Sequence, residues 1–310
     1  MHTTEGLLAA QAERPLADRA TVLAVGTAPF RLAAALAVTG VFAALPTLLA
    51  PSLLSGPDVM VGSARGTALV ILVLTVPVML LAVHATARGS ARGLVVWLGA
   101  VAHLLYQSVL FLFATPLNSL FLLYVAMLGL SVWTAGVLLA RTDLAGLASR
   151  FSQDAPVRLV AGALGIVAGL NTLLWLARVV PTIGDDDPSA VMAGSGLTTN
   201  PVIAQDLGLW LPLALVAAVW VWQRRPLGHL AAASVLTLWT LEGVTVAVDQ
   251  MFGYAMDPTT EWATREASGI FAVLTVITLV PLLLHLRTVD RDEARLQVLL
   301  AAAGPSAGAA

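Results

Sequence analysis

The sequence predicts an all-α, polytopic transmembrane helical bundle of eight spans, and three observations predict it. Of 310 residues, 58% are hydrophobic and only 11% are charged. Runs of roughly twenty residues free of Asp, Glu and Arg recur along the chain, the length a helix needs to cross a ~30 Å hydrocarbon core. The arginines gather in alternate connections between those runs, as the positive-inside rule demands of spanning helices.

The predicted spans fall at 32–50, 67–85, 94–114, 119–140, 159–179, 204–222, 229–249 and 267–286. All belong to one membrane domain over 1–310, with a polar N-terminal tail at 1–28 and a C-terminal tail at 288–310. The first run is too long for a signal-peptide core and lacks a small-residue cleavage site, so it reads as a retained span. The C-terminal tail begins "TVDRDEARLQVLL", which reads as helix continuing past Arg287, and then dissolves into Ala, Gly, Ser and Pro.

Arginine placement sets the orientation. With the N-terminus in the cytoplasm, Arg14, Arg19, Arg31, Arg88, Arg92, Arg141, Arg150, Arg158, Arg224, Arg225, Arg287, Arg291 and Arg295 lie inside, and only Arg65, Arg178 and Arg265 lie outside, a split of 13 to 3. Both termini are therefore expected in the cytoplasm, and the membrane is expected to be the cytoplasmic (inner) one. The outside collects Asp58, Asp185, Asp186, Asp187, Asp257, Glu261 and Glu266, an acidic mouth that would concentrate cations; solvated loops with no task are the plainer alternative. The two longest outer connections, 181–201 and 251–265, are expected to be irregular loops or short surface helices over the outer face.

Composition also excludes chemistry. There is no cysteine, hence no disulfide, thiolate metal site or thioether haem. All 16 basic residues are arginine, so no lysine is present to form a Schiff base or a P-loop. No cluster has the spacing of a metal site, no nucleophile elbow or phosphate loop is visible, and neither a cofactor nor a nucleic-acid partner is expected. Gly165-x-x-x-Gly169 reads as close helix packing in lipid. His84, His229 and His285 sit at span ends beside arginines and read as interfacial side chains, or as a ring for anionic headgroups. The eight tryptophans fall mostly near span ends, as an aromatic belt would.

An internal repeat is also suggested. Pro77 and Gly93 flank the Arg88/Arg92 loop just as Pro212 and Gly228 flank the Arg224/Arg225 loop, and the same offset carries Gln107 onto Glu242. "PFRLAAALAV" at Pro29 resembles "PVRLVAGALG" at Pro156. These matches point to a parallel 4+4 tandem duplication with halves at 29–141 and 156–287, although low-complexity apolar sequence also yields matches by chance.

Polar residues at membrane depth are the candidate site. Gln107 lies fourteen residues past Gly93, Glu242 fourteen past Gly228 and Asn171 thirteen past Arg158. At 1.5 Å per residue all three sit about 20 Å in, with His103 one turn deeper. His103, Tyr106 and Gln107 share a helix face, as do Asn171, Trp175 and Arg178, and Glu242, Thr245 and Asp249, while Asp206 opens the sixth span. A carboxylate at the depth of Glu242 costs several kcal/mol if it is ionised and unpaired. It must face the bundle interior, be protonated or be paired; Arg178 is expected to reach Asp206, Asp249 or Glu266. The residues predicted to bind a ligand or proton are thus His103, Tyr106, Gln107, Asn171, Arg178, Asp206, Glu242 and Asp249.

Three functional classes stay open on the sequence. The leading one is a transporter- or receptor-like protein with a site in the outer half of the bundle for a polar small molecule, a proton or another cation, with Glu242 as titrating group and His103 as its relay. The second is a membrane-embedded enzyme acting on a lipid-linked substrate from the outer leaflet, with Glu242 or Asp249 as general base. The third is a structural or assembly subunit whose polar residues only link helices.

Overall fold

In the computed structural model, which describes residues 25–152 and 154–290, the chain is all-helical apart from one isolated β-bridge between Phe151 and Val289. Eight helices among the described residues are long and apolar enough to cross a membrane: α1 Thr27–Leu49, α2 Asp58–Ala87, α3 Ala91–Phe113, α4 Phe121–Arg141, α5 Val157–Thr182, α6 Pro201–Trp222, α7 Pro226–Met256 and α8 Arg265–Leu286. The protein is accordingly a multi-pass membrane protein housed in a lipid bilayer. Arg14, Arg19, Arg291, Arg295 and most of both expected tails lie outside the described residues.

Three of the eight starts carry a side-chain cap. The Ser90 hydroxyl caps α3 by accepting the Gly93 N–H at 3.1 Å, Asn200 Oδ1 caps α6 at the Val202 N–H, and the Thr264 hydroxyl caps α8 at the Ala267 N–H. Pro116 and Asn118 make the tight turn between α3 and α4, where Asn118 Oδ1 accepts the Leu120 N–H at 2.9 Å.

Two helices run beyond their hydropathy signal. α2 begins at Asp58 rather than 67, and α7 extends to Met256 over 31 residues. The extensions are polar or glycine-rich and cover each other: Gly62 lies against the backbone of Phe252 and Gly253, and Gly66 against that of Asp249. With no Cβ in the way the two backbones cross closely, and a window average over either strand of sequence misses that mutual shielding.

Pro77 and Pro212 each follow a π-helical turn, Ile71–Thr75 in α2 and Asp206–Trp210 in α6. A proline lacks the N–H and clashes with the carbonyl four residues back, and a widened turn accommodates both defects within the membrane. The hairpins that follow are alike. The Gly89 N–H donates to Thr86 O and the Ser90 N–H to Ala85 O; the Arg224 N–H donates to Val221 O and the Arg225 N–H to Trp220 O. Gly89 and Arg224 both take positive φ, 84° and 54°, the second without a glycine's freedom.

Helices α1 to α4 pack as a ring in which α4 returns to α1, and α5 to α8 do the same with α8 returning to α5, over a shorter shared stretch. The rings join where α2 and α3 pack on α7, and α6 meets α3 near Pro201–Gln205 and again where the Tyr106 and Trp210 rings lie 6.1 Å apart. Apolar side chains such as Phe42, Leu81, Leu122, Ile166 and Val273 face outward, while His103, Gln107, Thr47, Thr75 and Thr245 are buried. That distribution is the one a lipid solvent selects, because backbone and polar side chains must find partners inside.

The opposite end of the bundle from the 183–200 connection departs from the sequence reading. His229 and His285 are buried rather than interfacial, stacked at 5.2 Å and against Phe151 from the 142–156 connection; His84 alone is exposed. Residues 287–290 leave the helix in a turn: Arg150 Nε meets Asp290 Oδ1 at 2.6 Å, and Arg92 Nη2 donates to Val289 O at 2.9 Å. Gly165 and Gly169 pack against nothing within 4 Å, so their face is open and the close crossings fall at Gly62, Gly66 and Gly99 instead. Trp133 and Trp222 are exposed as a belt requires, but Trp97 and Trp210 are core residues. The 181–201 connection is irregular with a short 3-10 helix at Pro188–Met192, and the other narrows to the residues between Met256 and Arg265.

Candidate functional site

A cavity of about 300 Å³ lies at the end of the bundle where these two connections meet, enclosed by α5 to α8 and completed by α2 and α3. Helical spacing builds its walls. On α7, Trp239, Glu242, Gly243, Val246 and Asp249 recur in steps of three and four and so share the face that lines it. On α5 the same spacing brings Val167, Asn171, Trp175 and Arg178 to the opposite side, and α8 closes the third side with Phe271, Leu274 and Thr278. Asp206 enters from the first position of the α6 π-turn, and Tyr106 from α3.

Three carboxylates therefore face one space. The Asp206 carboxylate accepts the Trp175 indole N–H at 2.9 Å, and the Tyr106 phenol approaches the same group. Asp249 is contacted through Oδ1 by the Gln250 amide at 3.3 Å. Glu242 accepts a hydrogen bond from the Gln107 amide and retains 14% side-chain exposure, so it belongs both to the cavity wall and to the buried network behind it.

That network is continuous. His103, fully buried, has Nδ1 3.2 Å from the Thr75 hydroxyl on α2 and Nε2 3.0 Å from the Thr245 hydroxyl on α7. The same Nε2 is 3.2 Å from Gln107 Nε2 and 3.3 Å from Glu242 Oε2. With the Gln107 amide donating to both His103 and Glu242, Nε2 is bare and Nδ1 carries the proton toward Thr75; the Thr245 hydroxyl, already donating to Leu241 O at 2.9 Å, could only accept and so makes no hydrogen bond to the bare nitrogen. Gln107 Oε1 is buried and has no partner in this arrangement. A proton arriving at His103 Nε2 makes that atom a donor; the Gln107 amide then meets it with the wrong end, and rotating the amide turns the idle Oε1 toward it.

The structure thus brings Tyr106, Asn171, Arg178, Asp206, Glu242 and Asp249 to one cavity, with His103 and Gln107 directly behind Glu242. Asn171 lines the cavity but bonds only its own helix, at Val167 O. Arg178 pairs with neither Asp206, Asp249 nor Glu266: its guanidinium lies 4.4 Å over the Trp262 ring and reaches Val191 O at 3.5 Å. The stack on an aromatic face replaces the expected ion pair because the loop carrying Trp262 folds back over the α5 terminus. Sequence reasoning missed Trp239, Trp262 and Thr75. Trp239 sits one turn before Glu242 and its spacing was a usable signal; Trp262 and Thr75 reach the site only through tertiary packing.

Trp262 roofs the cavity. Its indole N–H donates to Ala193 O at 2.8 Å, its carbonyl receives the Gln250 amide at 3.4 Å, and Glu261 beside it is exposed at the mouth. No three His, Asp or Glu side chains among the described residues gather as a metal shell. The chain matches no protein-family model, no curated protein and no solved structure.

Proposed function

We propose that the protein is a transporter- or receptor-like component of the cytoplasmic membrane, with both termini inside, that binds a small molecule or ion in this cavity and couples binding to a proton on Glu242. The observation that carries the reading is the double membership of Glu242. It stands between a ligand-sized space and a buried imidazole, so its charge state is felt on both sides. In a low-dielectric setting an ionised Glu242 needs a cation from one side or the other. A proton on His103 and a ligand in the cavity are therefore alternative partners, and the rotatable Gln107 amide follows the exchange.

The proposal includes a parallel duplication of the four-helix unit. It is supported by the paired π-turns, the matching hairpins, and the contact between Gln107 and Glu242, which are separated by the 135 residues that relate the halves. A site at the interface between halves is where such architectures tend to hold their ligands. On this view the first half is the packed scaffold, with apolar Ile71 at the position of Asp206, and the second is the hollowed, acidic one.

The enzyme reading is favoured by one observation, the convergence of several carboxylates on a space beside the loosely joined α5 and α8, and it requires that space to admit a lipid-borne group from the side. A purely structural role is disfavoured by the cavity itself.

Tryptophan emission measured against pH tests the leading reading without a ligand, because Trp175 and Trp239 line the cavity. The full chain in lipid nanodiscs is expected to show a pH-dependent step that Glu242→Gln abolishes. An identical step in that variant overturns the proposal.

A further inference from the structure

We infer that the occupant of the cavity is an organic cation: a protonated amine or quaternary ammonium group on an apolar body, with its charge among Asp206, Glu242 and Asp249 and its body against Trp175, Trp239 and Phe271. This rests on the ligand-binding reading above and names the chemistry of the ligand.

Charge is the first argument. Four carboxylates line the space, Asp206, Glu242 and Asp249 within it and Glu261 at its mouth, and the one cationic side chain that lines it, Arg178, is already engaged by the Trp262 ring and the Val191 carbonyl. The partners of Asp206 and Asp249 are neutral donors, the Trp175 indole and the Gln250 amide. His103 approaches only Glu242, from behind the wall. An anionic ligand would meet uncompensated repulsion there, and a neutral hydrocarbon would strip water from three carboxylates without returning a charge.

The walls supply the second argument, independent of the acids. Tyr106, Phe111, Trp175, Trp239, Trp262 and Phe271 all line the cavity. Aromatic faces bind alkylammonium groups through the ring quadrupole and accept an apolar body at the same time. A bare metal ion would need several oxygen ligands closing on one point, and the acids are instead spread around the space. The volume, about 300 Å³, suits a small ligand rather than an ion. Exposed Glu261 at the mouth has the sign that would draw a cation in.

The test uses three probes of one shape and different charge: phenylbutylamine, phenylbutanol and phenylbutyrate. Each is titrated against the full chain in nanodiscs of zwitterionic lipid, with empty discs as blank, reading tryptophan emission and the thermal midpoint. The amine is expected to bind at least tenfold more tightly than the alcohol, and the carboxylate more weakly still. In Asp206→Asn/Asp249→Asn the preference for the amine is expected to fall at least tenfold. Equal binding of amine and alcohol, preference for the carboxylate, or no binding of any probe overturns the inference, and these outcomes are read on the unaltered chain even if the double variant does not fold. The ligand-free pH step of Glu242 separates the two proposals. If that step is present and depends on Glu242 while the probes show no charge preference, the organic cation alone is refuted; if it is absent, the site reading itself fails.

Discussion

Trp262 is expected to act as the latch of the cavity, and removing it is expected to open the mouth. The side chain contributes an N–H bond to Ala193 O at 2.8 Å and a cation–π contact with Arg178 at 4.4 Å. Taken at exposed-site values, about 1 kcal/mol for the hydrogen bond and about 0.5 kcal/mol for the ring contact, the two favour the closed roof by about 1.5 kcal/mol. That is close to tenfold in an opening equilibrium. The chain has no cysteine, so a single thiol placed by Val246→Cys, on the α7 face that lines the cavity, is a clean reporter. Its reaction with a water-soluble methanethiosulfonate is expected to accelerate about tenfold in the Trp262→Ala background. Trp262→Phe keeps a ring under Arg178 but loses the N–H, and should fall between. An unchanged rate in Trp262→Ala shows that the roof is not held by these contacts and refutes the argument.

Two further outcomes concern the scaffold. Gly66→Ala drives a Cβ into the backbone of Asp249 and is expected to cost about 1–3 kcal/mol, whereas Gly129→Ala, which meets nothing, should stay within about 1 kcal/mol of the parent; thermal midpoints in one detergent decide it, and equal effects would mean that the α2–α7 crossing is not close. At the other end, Phe151→Ala removes the ring stacked on His229 and His285 and should cost about 3 kcal/mol or more. Arg150→Ala breaks a pair that is 20% and 31% exposed and should cost under about 1 kcal/mol. The reverse order in chemical denaturation would assign that end to the ion pair.

Much of the fold was legible because lipid imposes a single simple rule. A helix that crosses hydrocarbon must be apolar for about twenty residues, so the eight spans follow from composition even where their ends do not. The ends of α2 and α7 escaped because glycines bury each other's polar neighbours across a crossing, which a linear window does not see. His229 and His285 were misread for a related reason: position at a span end suggests an interface, but the 142–156 connection folds back and covers them with Phe151. The site was legible as a set of depths. Gln107 and Glu242 were matched by counting from their hairpins, and they bond to one another.

By itself the sequence determined that the chain is a helical membrane protein and which polar residues fall within its long apolar helices, because both follow from the energetic cost of polar atoms in hydrocarbon and from a fixed rise per residue. Only the tertiary structure decided that Asp206, Glu242 and Asp249 share a cavity, that His103 stands behind Glu242 rather than beside it, and that Arg178 spends its charge on Trp262. Those facts depend on the rotation of each helix about its axis and on how the connecting loops fold over the bundle, and both are set by packing between segments distant in sequence.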